Sequence, residues 1–216
     1  DVFSPKTLDL KNIFTATDGA TLCNFNAAQL NVEMPSHDFS DYLLVDNLGH
    51  IKRWRFFSAV WGDEIIPIAK ALNSTGHKDV LYIGTAGALD GKGLEVGDIV
   101  IGDKVLTHSK KELSFSEGKL TQLNSKKVRV GQVHSPFDET TEWLKKQTAL
   151  IDIVEVETGY LRENLGSDVN LESYFLISDM VGSADESLSR VAHTSSKRKK
   201  GRRNMFELIE AAFRSD

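Results

Sequence analysis

The chain holds one cysteine, Cys23, in 216 residues. A lone thiol closes no internal disulfide, and without a cysteine cluster there is no thiolate zinc site. Such sparing use of cysteine fits a reducing compartment, and we expect the cytoplasm. The six histidines are scattered, none standing four residues from another or beside a cysteine, so no metal and no cofactor are expected. Long apolar runs are also missing: nothing approaches the roughly 18–20 residues of a membrane span, and no signal peptide is visible. No membrane association is expected. Positive charge is outweighed, with 26 Lys and Arg against 31 Asp and Glu, a net charge of -5. That balance argues against a chain that lies on nucleic-acid phosphates as a whole. The one basic run, KRKKGRR at 197–203, is the exception.

What is present is enough apolar sequence for one large domain, burying roughly 70–75% of its unfolded surface. Residues 1–40 show no sustained period and read as a divergent N-terminal part. The chain opens on Asp1 rather than methionine, consistent with removal of an upstream leader or domain. The organising stretch is DVLYIGTAGALDGKGLEVGDIVIG at 79–102. Val80, Leu81, Tyr82 and Ile83 read as a buried strand. Gly84, Thr85, Ala86 and Gly87 read as a tight small-residue loop at its end, and residues 99–106 as the next strand. In open α/β sheets ligands sit beyond the carboxyl ends of strands, so the site is expected here. Residues 41–45 and 51–60 are predicted strands. Residues 64–72 carry Ile65, Ile66, Ile68, Ala69 and Leu72 at helical spacing, with Asp63 as N-cap. Strand, helix and strand together predict a βαβ unit. Further strands are predicted at 128–133, 150–156 and 174–178, and helices at 137–144, 158–165 and 204–213. The whole reads as a single α/β domain, residues 1–216, with a central mixed twisted sheet flanked by helices.

Three segments place polar residues just beyond apolar strands: GTAGAL at 84–89, VEVETG at 154–159 and LISD at 176–179. With VGDIVIGD at 96–103 they resemble, in order and wording, the superfamily of purine nucleoside phosphorylases and methylthioadenosine/S-adenosylhomocysteine nucleosidases. The resemblance covers about residues 55–215. It implies a purine nucleoside substrate, breakage of its N-glycosidic bond, and a homo-oligomer, for which Trp61 and Phe56 are candidate contacts.

Glycosidic cleavage passes through a sugar of oxocarbenium character, so the purine must not depart as an anion. A carboxylic acid near its N7, kept protonated by partial burial, meets that need. By resemblance Asp179 is this general acid; read without the resemblance, it is a capping aspartate after a strand. Two ribose hydroxyls are best accepted by one carboxylate. Glu157 matches the ribose-binding glutamate and Val156 its neighbour whose backbone holds the sugar. Read alone, Glu157 is equally an ordinary first-turn glutamate. Glu155 is expected on the opposite side and is ranked below it. Thr85, Ala86 and Gly87 match the loop that faces the reacting centre.

Two departures from the family pattern bear on the reaction. The position of a phosphate-binding arginine is taken by Tyr82, and no arginine lies between Arg55 and Arg129. A phosphate without a cation is poorly held, which favours water as nucleophile. The glutamate that activates this water in the nucleosidases has no clear counterpart in residues 1–40, where Asp18 is the one candidate. The expected activity is therefore nucleosidase, with a phosphorylase and a catalytically silent nucleoside-binding module as alternatives. The basic run reads first as a solvated loop, and otherwise as a patch for nucleic acid or an acidic partner. Trp54, Trp61 and Trp143 read as core or subunit-contact residues. Phe137 and Phe175 fit either a purine pocket or packing.

Overall fold

The structure, a computed structural model, describes residues 38–45, 51–58, 61–117, 125–135, 140–183, 201, 203 and 204. The chain divides into two compact units, Asp1–Val60 and Trp61–Asp216. In the first, β1 (Asp38–Val45) and β2 (Ile51–Ser58) form an antiparallel pair running from Asp38↔Ser58 to Val45↔Ile51. A short connection joins antiparallel neighbours directly.

The second unit is built on β3 (Asp79–Leu89), β4 (Ile99–Leu106), β5 (Glu112–Ser114), β6 (Lys127–Gln132), β7 (Ile153–Glu155) and β8 (Asn170–Val181). They form one mixed sheet in the order β5-β4-β6-β7-β3-β8, and β4 also pairs with β8. The circuit β4, β6, β7, β3, β8 thus returns to β4, leaving its member strands partnered around the ring. Strands β4, β6 and β7 run parallel; β3 and β8 are parallel to each other, and β3 is antiparallel to β7. Strand β3 pairs with β8 along its whole length and with β7 at Gly87 and Ala88.

The core lies along these strands. Val105, Val130, Ile153, Leu171, Tyr174, Phe175 and Ile177 are fully buried. Tyr174 and Phe175 are adjacent in β8 and point to opposite faces, so both faces of that strand are covered, as its unbroken apolar sequence requires. The helices described in full are α1 (Ile65–Ser74), α2 (Thr141–Gln147) and α3 (Thr158–Asn164). Helix α1 buries Ile65, Ile68, Ala69 and Leu72, the stripe its spacing predicted. Its N-cap is Glu64; the expected cap, Asp63, belongs to a 3-10 turn, Gly62–Glu64, that precedes the helix. Helix α2 starts later than expected because Thr140 accepts a hydrogen bond from the Trp143 amide, 3.2 Å, and fixes its start there. Phe137, Asp138 and most of 204–213 lie outside the described residues. Among the described residues no helix is long and apolar enough to cross a membrane.

Two boundaries differ from expectation where function is concerned. The small residues Gly84, Thr85, Ala86 and Gly87 are not a loop: β3 continues through them to Leu89, and the turn follows at Asp90. Likewise β8 does not stop before Asp179 but runs on to Val181. The register explains both. Ala86 pairs with Ile177 but Gly87 pairs with Asp179, so Ser178 is an extra residue in β8, a bulge in a parallel pair. Small residues on β3 let the ladder absorb that kink without breaking.

Candidate active site

Strand β7 ends at Glu155 and α3 begins at Thr158, so both glutamates of VEVETG lie at a strand-to-helix junction. Glu155 is buried and turned onto the start of α3. Its Oε2 accepts from the Glu157 amide, 2.8 Å, and the Thr158 amide, 2.7 Å, and its Oε1 from the Thr158 hydroxyl, 2.8 Å. Burial, followed by the nearby Glu157 charge, raises its pKa to about 7 against the pull of those hydrogen bonds.

Glu157 is differently held. It is the N-cap residue of α3 but makes no side-chain cap bond. Its Oε1 accepts from the Gly62 amide at 2.9 Å and its Oε2 from the Tyr82 hydroxyl at 3.0 Å. Burial raises its pKa, and the Gly62, Tyr82 and Val156 hydrogen bonds oppose the rise. The helix-dipole reading of Glu157 is thus met by Glu155 instead. Strict strand alternation would set residues two apart on one face; the two carboxylates part company because the strand ends between them. Gly62 reaches Glu157 from a backbone φ of +56°, a left-handed conformation that glycine adopts freely.

Tyr82 lies on β3, and its ring folds over Gly84. A Cβ on Gly84 would stand 2.5 Å from the Tyr82 hydroxyl oxygen and 2.6 Å from Cε1, so this residue must be glycine for the ring to lie there. The Tyr82 pKa is well above the ordinary phenol value through burial, then the charges of Glu155 and Glu157. At these three groups the described partners include no lysine or arginine.

Asp179 lies on β8, in register with Gly87 of β3. It is half-buried, and its Oδ2 would lie 3.3 Å from a Cβ at Gly87, so the absent side chain there gives the carboxylate its space. The Ser178 hydroxyl is 2.5 Å from Asp179 Oδ1 and 3.3 Å from the Ala86 carbonyl oxygen. The bulge therefore aims Asp179 at Gly87 and ties it to β3. Between the two carboxylates runs the segment Gly84, Thr85, Ala86, Gly87: Thr85 is exposed, Ala86 and Gly87 are buried. Val156 is buried beside Glu157. From Gly84 to Gly87 is about 10 Å of strand.

The sequence reading missed the tether of Glu157. Gly62 is 95 residues away in the chain, and Tyr82 stood out only as a missing arginine. Phe175 is fully buried and packs its ring 5.7 Å from that of Tyr82, which makes it a core residue. Trp143 packs against Leu89, Ile151 and Val154, while Trp61 is 59% exposed. Histidines given no role in sequence meet at the ends of β4 and β6: His108 and His134 have ring centroids 5.7 Å apart, and His134 Nδ1 is 2.7 Å from the Tyr160 hydroxyl. Asp18, Cys23 and most of the 197–203 run lie outside the described residues, as do the side chains of Trp54 and Phe56.

No protein-family model matches the chain, and no curated protein matches it in sequence. Solved structures do. An MTA/SAH nucleosidase superposes with a TM-score of 0.65 at 14% identity, over 84% of this chain and 84% of that one. A futalosine hydrolase mutant from Helicobacter pylori gives 0.66 at 14% identity, over 85% and 87%. Purine nucleoside phosphorylase from Toxoplasma gondii, in complex with immucillin-H, gives 0.64 at 14% identity, over 81% and 77%. The chain has the fold of the purine nucleoside phosphorylase and nucleosidase superfamily, as its motif order implied.

Proposed function

We propose that a chain with this fold binds a purine nucleoside or 5′-thionucleoside and hydrolyses its N-glycosidic bond. The observation that supports the reading is that Glu157, through Tyr82, lies by Gly84 and Asp179 by Gly87, at the two ends of one small-residue strand segment. A sugar laid along that segment meets Glu157 with its hydroxyls and presents its base to Asp179. Asp179, protonated, gives its proton to the purine N7 as the bond from C1′ to N9 breaks, so the base departs neutral. Glu157, ionised, accepts hydrogen bonds from the 2′ and 3′ hydroxyls and favours the positive charge that builds on the ring. Water then joins C1′ beside the exposed Thr85 and releases its proton to solvent.

Water is favoured over phosphate because the described partners of the site groups Tyr82, Glu155 and Glu157 are acidic or neutral. A phosphate brought here would meet like charge. The names of two of the similar structures, a nucleosidase and a hydrolase, agree with this choice.

The test is release of free base from adenosine, inosine, guanosine and methylthioadenosine, with and without phosphate, followed by chromatography. Release without phosphate is expected, with Asp179→Asn lowering kcat on the order of 10²–10⁴-fold. Release only with phosphate would make the chain a phosphorylase. No release from a folded protein that still binds nucleoside would make it a binding module.

A further inference from the structure

We propose that Tyr82 is a positioning residue for Glu157, holding its carboxylate in the orientation that accepts a hydrogen bond from the sugar hydroxyls. The inference rests on the reading of Glu157 as the ribose carboxylate, and the side-chain geometry carries it further. A carboxylate on a free side chain rotates about its last bond, and that rotation must be frozen whenever two hydroxyls are to be accepted together. Here both oxygens are held by different elements. The Gly62 amide, at the 3-10 turn, takes Oε1, and the Tyr82 hydroxyl, from β3, takes Oε2. A carboxylate has about four acceptor sites, so with the Gly62, Tyr82 and Val156 donors in place the group keeps capacity for a further donor. A sugar hydroxyl is a donor that matches the capacity left on this fixed carboxylate.

The Tyr82 side chain is itself fixed. Its ring lies on Gly84, where a β-carbon would overlap it, and packs 5.7 Å from the Phe175 ring, which is fully buried. Its hydroxyl therefore arrives at Glu157 from a rigid strand and not from a loop. Burial and two neighbouring carboxylates keep the phenol protonated across the ordinary pH range, so it stays a donor. A tyrosine at this place supplies direction without positive charge, which leaves the full negative charge of Glu157 available to the sugar.

The experiment compares adenosine with 2′,3′-dideoxyadenosine, measured by titration calorimetry in an Asp179→Asn background so that turnover does not interfere. The parent protein is expected to prefer adenosine. Tyr82→Phe keeps the ring and removes the hydroxyl, and is expected to cut that preference about tenfold, the effect of one hydrogen bond to a charged group, with dideoxyadenosine affinity unchanged. Tyr82→Met asks the same question with a different filling of the space over Gly84, and circular dichroism checks that each variant is folded. In the protein with Asp179 intact, Tyr82→Phe is expected to raise KM more than it lowers kcat. An unchanged preference in a folded variant would overturn the role of Tyr82 while the reading of Glu157 stands. Equal loss for both ligands would also overturn it, since a disturbed fold does not distinguish hydroxyls. No preference in the parent protein would overturn the reading of Glu157 itself.

Discussion

Two glutamates separated by one valine have opposite fates at the end of β7. Glu155 turns inward to cap α3 with three hydrogen bonds, while Glu157 is held by Gly62 and Tyr82. The burial of Glu155 has a measurable consequence. Its folded pKa is raised from 4.5 to about 7, so the folded state binds this proton more tightly than the unfolded chain. The stabilisation is fully present below pH 4.5 and is lost as pH rises through 7, on the order of 3 kcal/mol at most. Glu155→Gln removes the titration. The difference in unfolding free energy between the parent and Glu155→Gln, measured in urea at pH 5 and pH 8, is expected to shift against the parent at the higher pH. A difference independent of pH would show that Glu155 is charged at both.

At the level of elements, the bulge in β8 decides where Asp179 points. It shifts the register against β3 by one residue and sets Asp179 opposite Gly87. A methyl group at Gly87 would come 2.6 Å from Val181 Cγ2 and 3.3 Å from Asp179 Oδ2. Gly87→Ala is therefore expected to destabilise the fold by about 1–3 kcal/mol, the usual range for overpacking, and to move Asp179. Urea midpoints and base release should both fall; a stable variant with undiminished release would separate Gly87 from the site. The cap of α2 gives a milder control. Thr140→Ala removes the hydrogen bond to Trp143 and is expected to cost about 1 kcal/mol without altering nucleoside binding.

For the whole second unit, the closed circuit of strands sets the order of opening. Strand β3 is paired with β8 along its whole length and with β7 at Gly87 and Ala88, and β8 also pairs with β4, whereas β5 is a three-residue strand whose partner among the described residues is β4. Amide hydrogen exchange is expected to be slowest in β3 and β8 and fastest among the strands in β5. Faster exchange in β3 than in β5 would mean the ring opens at the site. The surface carries one large exposed aromatic next to Gly62, the 59% exposed Trp61, which we propose as a contact between copies of the chain. Sedimentation of the parent and Trp61→Ser tests it: an oligomer that dissociates in the variant supports the contact, and a monomeric parent removes it.

The sequence by itself determined the elements and the family of folds. Apolar runs and turn residues placed β4 at its observed limits and α3 within one residue of its end, and the order of four short motifs named a fold that three structures at 14% identity share. These are properties of local pattern, which survives when identity does not. Tertiary structure decided which residues meet. It made a strand of the expected loop at 84–87, because β8 pairs with all four residues and β7 with Gly87, partners that no local signal announces. It joined Gly62 and Tyr82 to Glu157 across 95 and 75 residues of chain. Pairing of that kind depends on register between distant strands, and a bulge of one residue is enough to change which side chain reaches the site.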